Sequence, residues 1–125
     1  MRGLIIGIVT LAAAAGCTHV DKAEDLNFGT CAAVLKALAK NPSSARIPRA
    51  RAIDIGDGHV QYDWRHGDGL ALQNGFGAMI DTTASCVLNN GALWILVLND
   101  DRRYVSGPEF DLLALAAANY RTAHK

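Results

Sequence analysis

The triplet Asn89-Asn90-Gly91 constrains the fold of this chain more than any other feature. Asn-Gly accepts the positive φ angles of a two-residue type I′ turn, whose twist matches that of paired strands, so the flanking segments must run antiparallel. The segment before it, Ala78 to Leu88, is led by Phe76 and keeps Ala78, Ile80, Ala84, Cys86 and Leu88 on one parity, with Thr82 the exception. Alternation of that kind marks a strand with one apolar face. The segment after the turn, Ala92 to Leu98, contains the unbroken run Leu93-Trp94-Ile95-Leu96-Val97-Leu98. Such a run predicts a central strand covered on both faces.

Further strands follow from the same logic. His59 to Trp64 sets Val60, Tyr62 and Trp64 against His59, Gln61 and Asp63. The turn Gly56-Asp57-Gly58 joins it to a strand from Ile47 to Ile55. The turn His66-Gly67-Asp68-Gly69 leads to Leu70 to Asn74, and Asn99-Asp100-Asp101 leads to Arg102 to Val105. Glycine and Asp/Asn are the residues that turns of this kind demand.

Two segments have helical spacing instead. Thr30 to Lys40 places Cys31, Val34, Leu35 and Leu38 at i, i+3, i+4 and i+7, with Thr30 as N-cap and Asn41-Pro42 as the stop. Pro108 to Ala123 places Phe110, Leu113, Ala117 and Tyr120 on one stripe after a capping box, Ser106-Gly107-Pro108-Glu109. One helix cannot cover both faces of the central strand, so the second helix is expected on the face opposite the first. The predicted class is α+β: an N-terminal helix packed on an antiparallel meander of four or five strands, with a C-terminal helix.

The first residues have a separate logic. Arg2 gives a short positive region, and Gly3 to Ala15 is uncharged and rich in Leu, Ile, Val, Ala and Gly. The stretch is shorter than the roughly 20 apolar residues of a spanning helix and has the layout of an export signal. Ala14-Ala15-Gly16-Cys17 resembles the lipobox of bacterial lipoproteins, in which the cysteine thiol takes diacylglycerol and becomes the first mature residue. The resemblance implies a signal peptide over 1–16, a lipidated N-terminus and polar spacer over 17–28, and a single periplasmic domain over 29–125. It also implies acyl chains such as palmitate on Cys17, which would hold the protein on a bilayer without a spanning segment. Thr18 follows the cysteine where an Asp would favour the inner membrane of a Gram-negative cell. The expected address is the periplasmic face of the outer membrane. The alternative is an ordinary secretory signal with a cysteine nearby.

With Cys17 committed to lipid, Cys31 and Cys86 remain as an even pair in an oxidising compartment. Helical spacing puts Cys31 on the apolar stripe, strand parity puts Cys86 on the face that should meet it, and a Cys31–Cys86 disulfide is expected. Two buried free thiols are the alternative. Removal of 16 of the 125 residues leaves 109, enough for one domain with a modest core. The 12 basic and 12 acidic side chains balance, which argues against a nucleic-acid partner. The basic cluster Arg46, Arg49, Arg51 reads as a solvated strand edge, with an anionic lipid or glycan contact as the other reading.

Pro42, Ser43, Ser44 and Ala45, after Lys40-Asn41, with Asn74, Phe76 and Gly77 and then Cys86, form a set. The set resembles a group of small exported bacterial domains without agreed activity, whose helix ends in Lys-x-Pro-Ser-Ser-Ala and whose next strands carry Asn-x-Phe-Gly. The resemblance spans roughly residues 31 to 88 and bears on the fold alone. Asn74, Gly75 and Gly77 suit a bulge bending a strand around Phe76.

Catalytic signals are sparse. His59, Asp63 and His66 could meet at a zinc or copper ion if strand register allowed, since imidazole and carboxylate are suitable ligands. No His-Glu-x-x-His motif accompanies them, and no metal or cofactor is expected. Ser43, Ser44 and Ser85 lack a nucleophile context. The expected function is a lipid-anchored, non-catalytic envelope module that binds another envelope protein. The alternatives are a lysozyme-inhibitor-like binding lipoprotein and a metal-dependent hydrolase using the His59, Asp63, His66 hairpin.

Overall fold

A computed structural model describes residues 22–125. The expected signal peptide, Cys17 and the first residues of the expected spacer lie outside the described residues. Among the described residues helix α1 covers 22–38, and it ends before a short 3-10 turn at Pro42–Ser44. Strands β1 (Ile53–Gly56), β2 (His59–Trp64), β3 (Ala71–Gln73), β4 (Met79–Asp81), β5 (Ala84–Asn89), β6 (Ala92–Leu98) and β7 (Arg102–Tyr104) follow, then helix α2 (Pro108–Ala123). Five strands form one antiparallel sheet in the order β1-β2-β5-β6-β7, while β3 and β4 form a separate hairpin inserted between β2 and β5. Among the described residues no helix is long and apolar enough to cross a membrane.

Turn chemistry fixes the meander. Asp57 and Gly58, and again Asn90 and Gly91, have positive φ, the conformation that a type I′ turn requires at both central positions. The amide of Asn90 donates to the Gly58 carbonyl, so the two turns sit side by side at one end of the sheet. Pairing then aligns Tyr62, Cys86, Leu96 and Tyr104 in one row across four strands. All four are buried.

Onto that row pack both helices. α1 contributes Cys31, Val34 and Leu35, the turn after it contributes Ala39, and α2 contributes Leu113 and Ala117, to a single cluster with Tyr62, Trp64, Leu88 and Leu96. The Cys31–Cys86 disulfide joins α1 to β5, with Cα atoms 6.0 Å apart and a sequence separation of 55. Closing a loop of that length removes unfolded-chain entropy equivalent to about 4 kcal/mol. The helices touch each other as well: a Cβ on Gly29 would overlap the Tyr120 ring. Arg121 Nη1 donates to Asn27 Oδ1 at 3.0 Å and Thr30 Oγ1 at 3.1 Å.

Several expectations change. α2 lies on the same side of the sheet as α1, not opposite it. Thr30 is no N-cap: it is buried mid-helix, its hydroxyl donating to the Leu26 carbonyl at 2.7 Å. The spacer to residue 28 is therefore helical from residue 22 onward, and α1 stops at 38 rather than Lys40. Ser106 does not cap α2, whose N-cap is Gly107 with no side-chain hydrogen bond. Of the strand expected over Ile47 to Ile55, only its end pairs with β2, and Arg46 makes one bridge to Ala71. Between them the chain crosses the core edge in extended form, where the Pro48 carbonyl accepts the Trp64 indole N–H at 2.9 Å. The single strand expected over Ala78 to Leu88 is cut at Thr82 and Thr83, because the Thr82 amide turns to the Leu70 carbonyl.

Candidate functional site

The histidines and carboxylate singled out in the sequence are engaged separately. His59 stacks on Trp94, ring centroids 4.3 Å apart. Asp63 accepts hydrogen bonds from Gln61 Nε2 at 2.8 and 3.0 Å. His66 lies beyond the other end of β2, with Nδ1 3.1 Å from Asp81 Oδ2. The six residues of β2 separate the two imidazoles by roughly 20 Å. Among the described residues no three His, Cys, Asp or Glu side chains are grouped to hold a metal.

The motif residues build turns. Ser43 Oγ donates to Asn41 Oδ1 and Ser44 Oγ to the Asn41 carbonyl, each at 2.8 Å, and the Ala45 amide closes the turn on Pro42. These bonds close the 3-10 turn that follows α1. Asn74 Oδ1 accepts from the amides of Phe76 at 2.9 Å and Ala78 at 3.1 Å. Gly77 supplies a φ of 84°. The Asn74 to Gly77 segment is thus the tip of the β3–β4 hairpin, not a bulge within a strand. Phe76, expected on the apolar face, is 98% exposed there.

The basic cluster is split. Arg49 pairs with Glu24 and Asp25 of α1 and lies 4.6 Å over the Phe28 ring, on the rim of a groove of about 400 Å³. Arg46 and Arg51 face solvent. The hydroxyl of Tyr62 reaches the Glu24 carbonyl at 3.3 Å, and burial raises its pKa above the ordinary tyrosine value.

The sheet face away from the helices also carries exposed apolar side chains, although Val87 within it is only 7% exposed. Register places Ile53, Gln61, Val87 and Ile95 in one row of that face, and Asp63, Ser85, Val97 and Arg103 in the next. Trp94 is the extra residue where the β5–β6 register shifts between Val87 and Leu88. That bulge lets Leu93 and Leu96, three apart, both enter the core while Trp94 goes to the open face, 44% exposed. Ile53 is 42% exposed. Sequence reading missed this face because an unbroken apolar run reads as buried on both sides; the half-polar composition of β2 was the available warning.

No family model, curated protein or solved structure matches the chain.

Proposed function

We propose that the chain is a lipid-anchored, non-catalytic interaction module of a Gram-negative envelope, held through Cys17 at the periplasmic face of the outer membrane. Its partner is another envelope protein, which docks on the open face of the five-stranded sheet. The observation that carries this reading is the arrangement of two helices on one side, leaving Ile53 and Trp94 exposed on the other beside the partly exposed Ile95 and Val97. An apolar centre rimmed by polar groups such as Gln61, Asp63 and Arg103 is the composition of a protein-binding patch. Half-exposed Trp94, held against His59, is the kind of side chain that dominates binding energy in such patches.

Two measurements test the reading. Mass spectrometry of membrane-extracted protein should show a diacylglyceryl or triacyl group on the peptide beginning at Cys17; an unmodified Cys17 overturns the anchor. A photo-crosslinker in place of Val97, in intact envelopes, should give a discrete adduct that Trp94→Glu abolishes. Equal adduct yield from a crosslinker at Leu112, on the exposed side of α2, would overturn the assignment of the face.

A further inference from the structure

The position of residue 22, the first described residue of α1, limits which end of the domain can meet a bilayer. Residue 22 is five positions after Cys17, and five residues at full extension reach no more than about 18 Å. Residue 22 therefore lies within that distance of the lipidated cysteine, and the last turn of α2 lies beside it. Lys22, Ala23 and Leu26 of α1 face His124 and Lys125 across a shallow hollow of about 420 Å³. None of the described residues lining it is acidic. Among the described residues of α1, the carboxylates Glu24 and Asp25 pair with Arg49 instead.

The hollow is held in shape. His124 stacks on Tyr120 with centroids 3.9 Å apart, and its Nδ1 lies 2.8 Å from the Tyr120 carbonyl. One turn earlier, Arg121 ties α2 to Asn27 and Thr30 of α1. Ala23 and Leu26 continue into the neighbouring hollow beside Gly58, Asn90 and Gly91, so the paired hairpin turns belong to the same end of the molecule.

We propose that this end, with Lys22, His124 and Lys125 around Leu26, seats on the anionic phospholipid headgroups of the bilayer that holds the N-terminal lipid. The proposal rests on the lipid-anchor reading above. Ammonium groups donate to phosphate oxygens, and the acyl anchor keeps headgroups at high effective concentration, so weak contacts suffice. Each cation near an anionic surface multiplies the docked population about fivefold, and salt screens the effect. Seated this way, β2, β5 and β6 rise from the membrane and the open face stands clear of it.

Mature protein carrying its lipid is reconstituted into vesicles of phosphatidylcholine alone or mixed with phosphatidylglycerol, and lysine acetylation rates are read by peptide mass. Lys22 and Lys125 should react several-fold more slowly on the anionic vesicles, with the difference lost at high salt. Lys36 and Lys40, at the other end of α1, should react equally on both. The double variant Lys22→Glu, Lys125→Glu should lower the docked fraction by at least about 25-fold, read as loss of anionic-lipid protection of the 120–124 backbone in hydrogen exchange. Equal rates at Lys22 on both vesicles, with the lipid mass present at Cys17, overturn the docking and leave the anchor intact. An unmodified Cys17 overturns the anchor and the docking with it.

Discussion

The two faces of the five-stranded sheet are made by the same strands and differ in what covers them. On the inner face Tyr62, Cys86 and Leu96 are fully buried under both helices. On the outer face their sequence neighbours Gln61, Val87, Ile95 and Val97 carry no helix. Stability is therefore concentrated on one side, and the other is left to interact. Hydrophobicity alone does not separate them: Ile95 and Leu96 are adjacent and similar in size, and the β-bulge at Trp94 decides which one enters the core.

The largest effect that would sharpen this contrast is on the inner face. Tyr62→Ala should cost about 3–5 kcal/mol, as large-to-small changes of aromatic residues in cores do, read from a urea midpoint. Ile95→Ala, one face over, should cost less than about 1 kcal/mol, as less covered positions do. Equal costs would mean that the outer face is also packed. Next comes Cys86→Ser, expected to remove about 2–5 kcal/mol and to leave Cys31 reactive to thiol reagents only on unfolding, since Cys31 is itself fully buried.

A smaller effect concerns the Tyr62 hydroxyl. Because burial raises its pKa in the folded state, the folded chain holds its proton more tightly than the unfolded chain. Its contribution is whole below the unfolded value of about 10 and is lost as pH rises through the folded value. Tyr62→Phe should cost about 1 kcal/mol at neutral pH and flatten the alkaline fall in stability; an unchanged alkaline fall would place its origin elsewhere. Smallest of all, Trp94→Ala should shift stability by no more than about 0.5 kcal/mol while abolishing the envelope crosslink from Val97. A large loss of stability would return Trp94 to the core and break the comparison.

What was legible from sequence is what depends on local chemistry. Asn90-Gly91 and Asp57-Gly58 gave their turns, the Val60, Tyr62, Trp64 alternation gave the inner face of β2, and the stripes of Cys31 to Leu38 and Phe110 to Tyr120 gave helices and the disulfide. What was not legible depends on distant partners. Nothing near Thr82 says that its amide will bond to Leu70, so one strand was read where there are two. The first half of α1 reads as a polar spacer because its neighbours, Tyr120 and Arg121, are supplied from the far end of the chain. Phe76 keeps strand parity but sits in a turn built by the Asn74 side chain. The open face was hidden for a similar reason: a run of six apolar residues carries no parity, and only the register shift at Trp94 sorts it.

The disulfide also sets how the domain bears a mechanical load. A pull on the chain ahead of residue 22 enters α1 and, at Cys31, crosses covalently into β5, the middle strand of the sheet. A partner gripping β5 or β6 from the open side would draw on the same line. The residues between Cys31 and Cys86, including β1, β2 and the β3–β4 hairpin, form a loop beside that line and transmit none of the tension through their own backbone. Strands that would otherwise peel away one by one are spared.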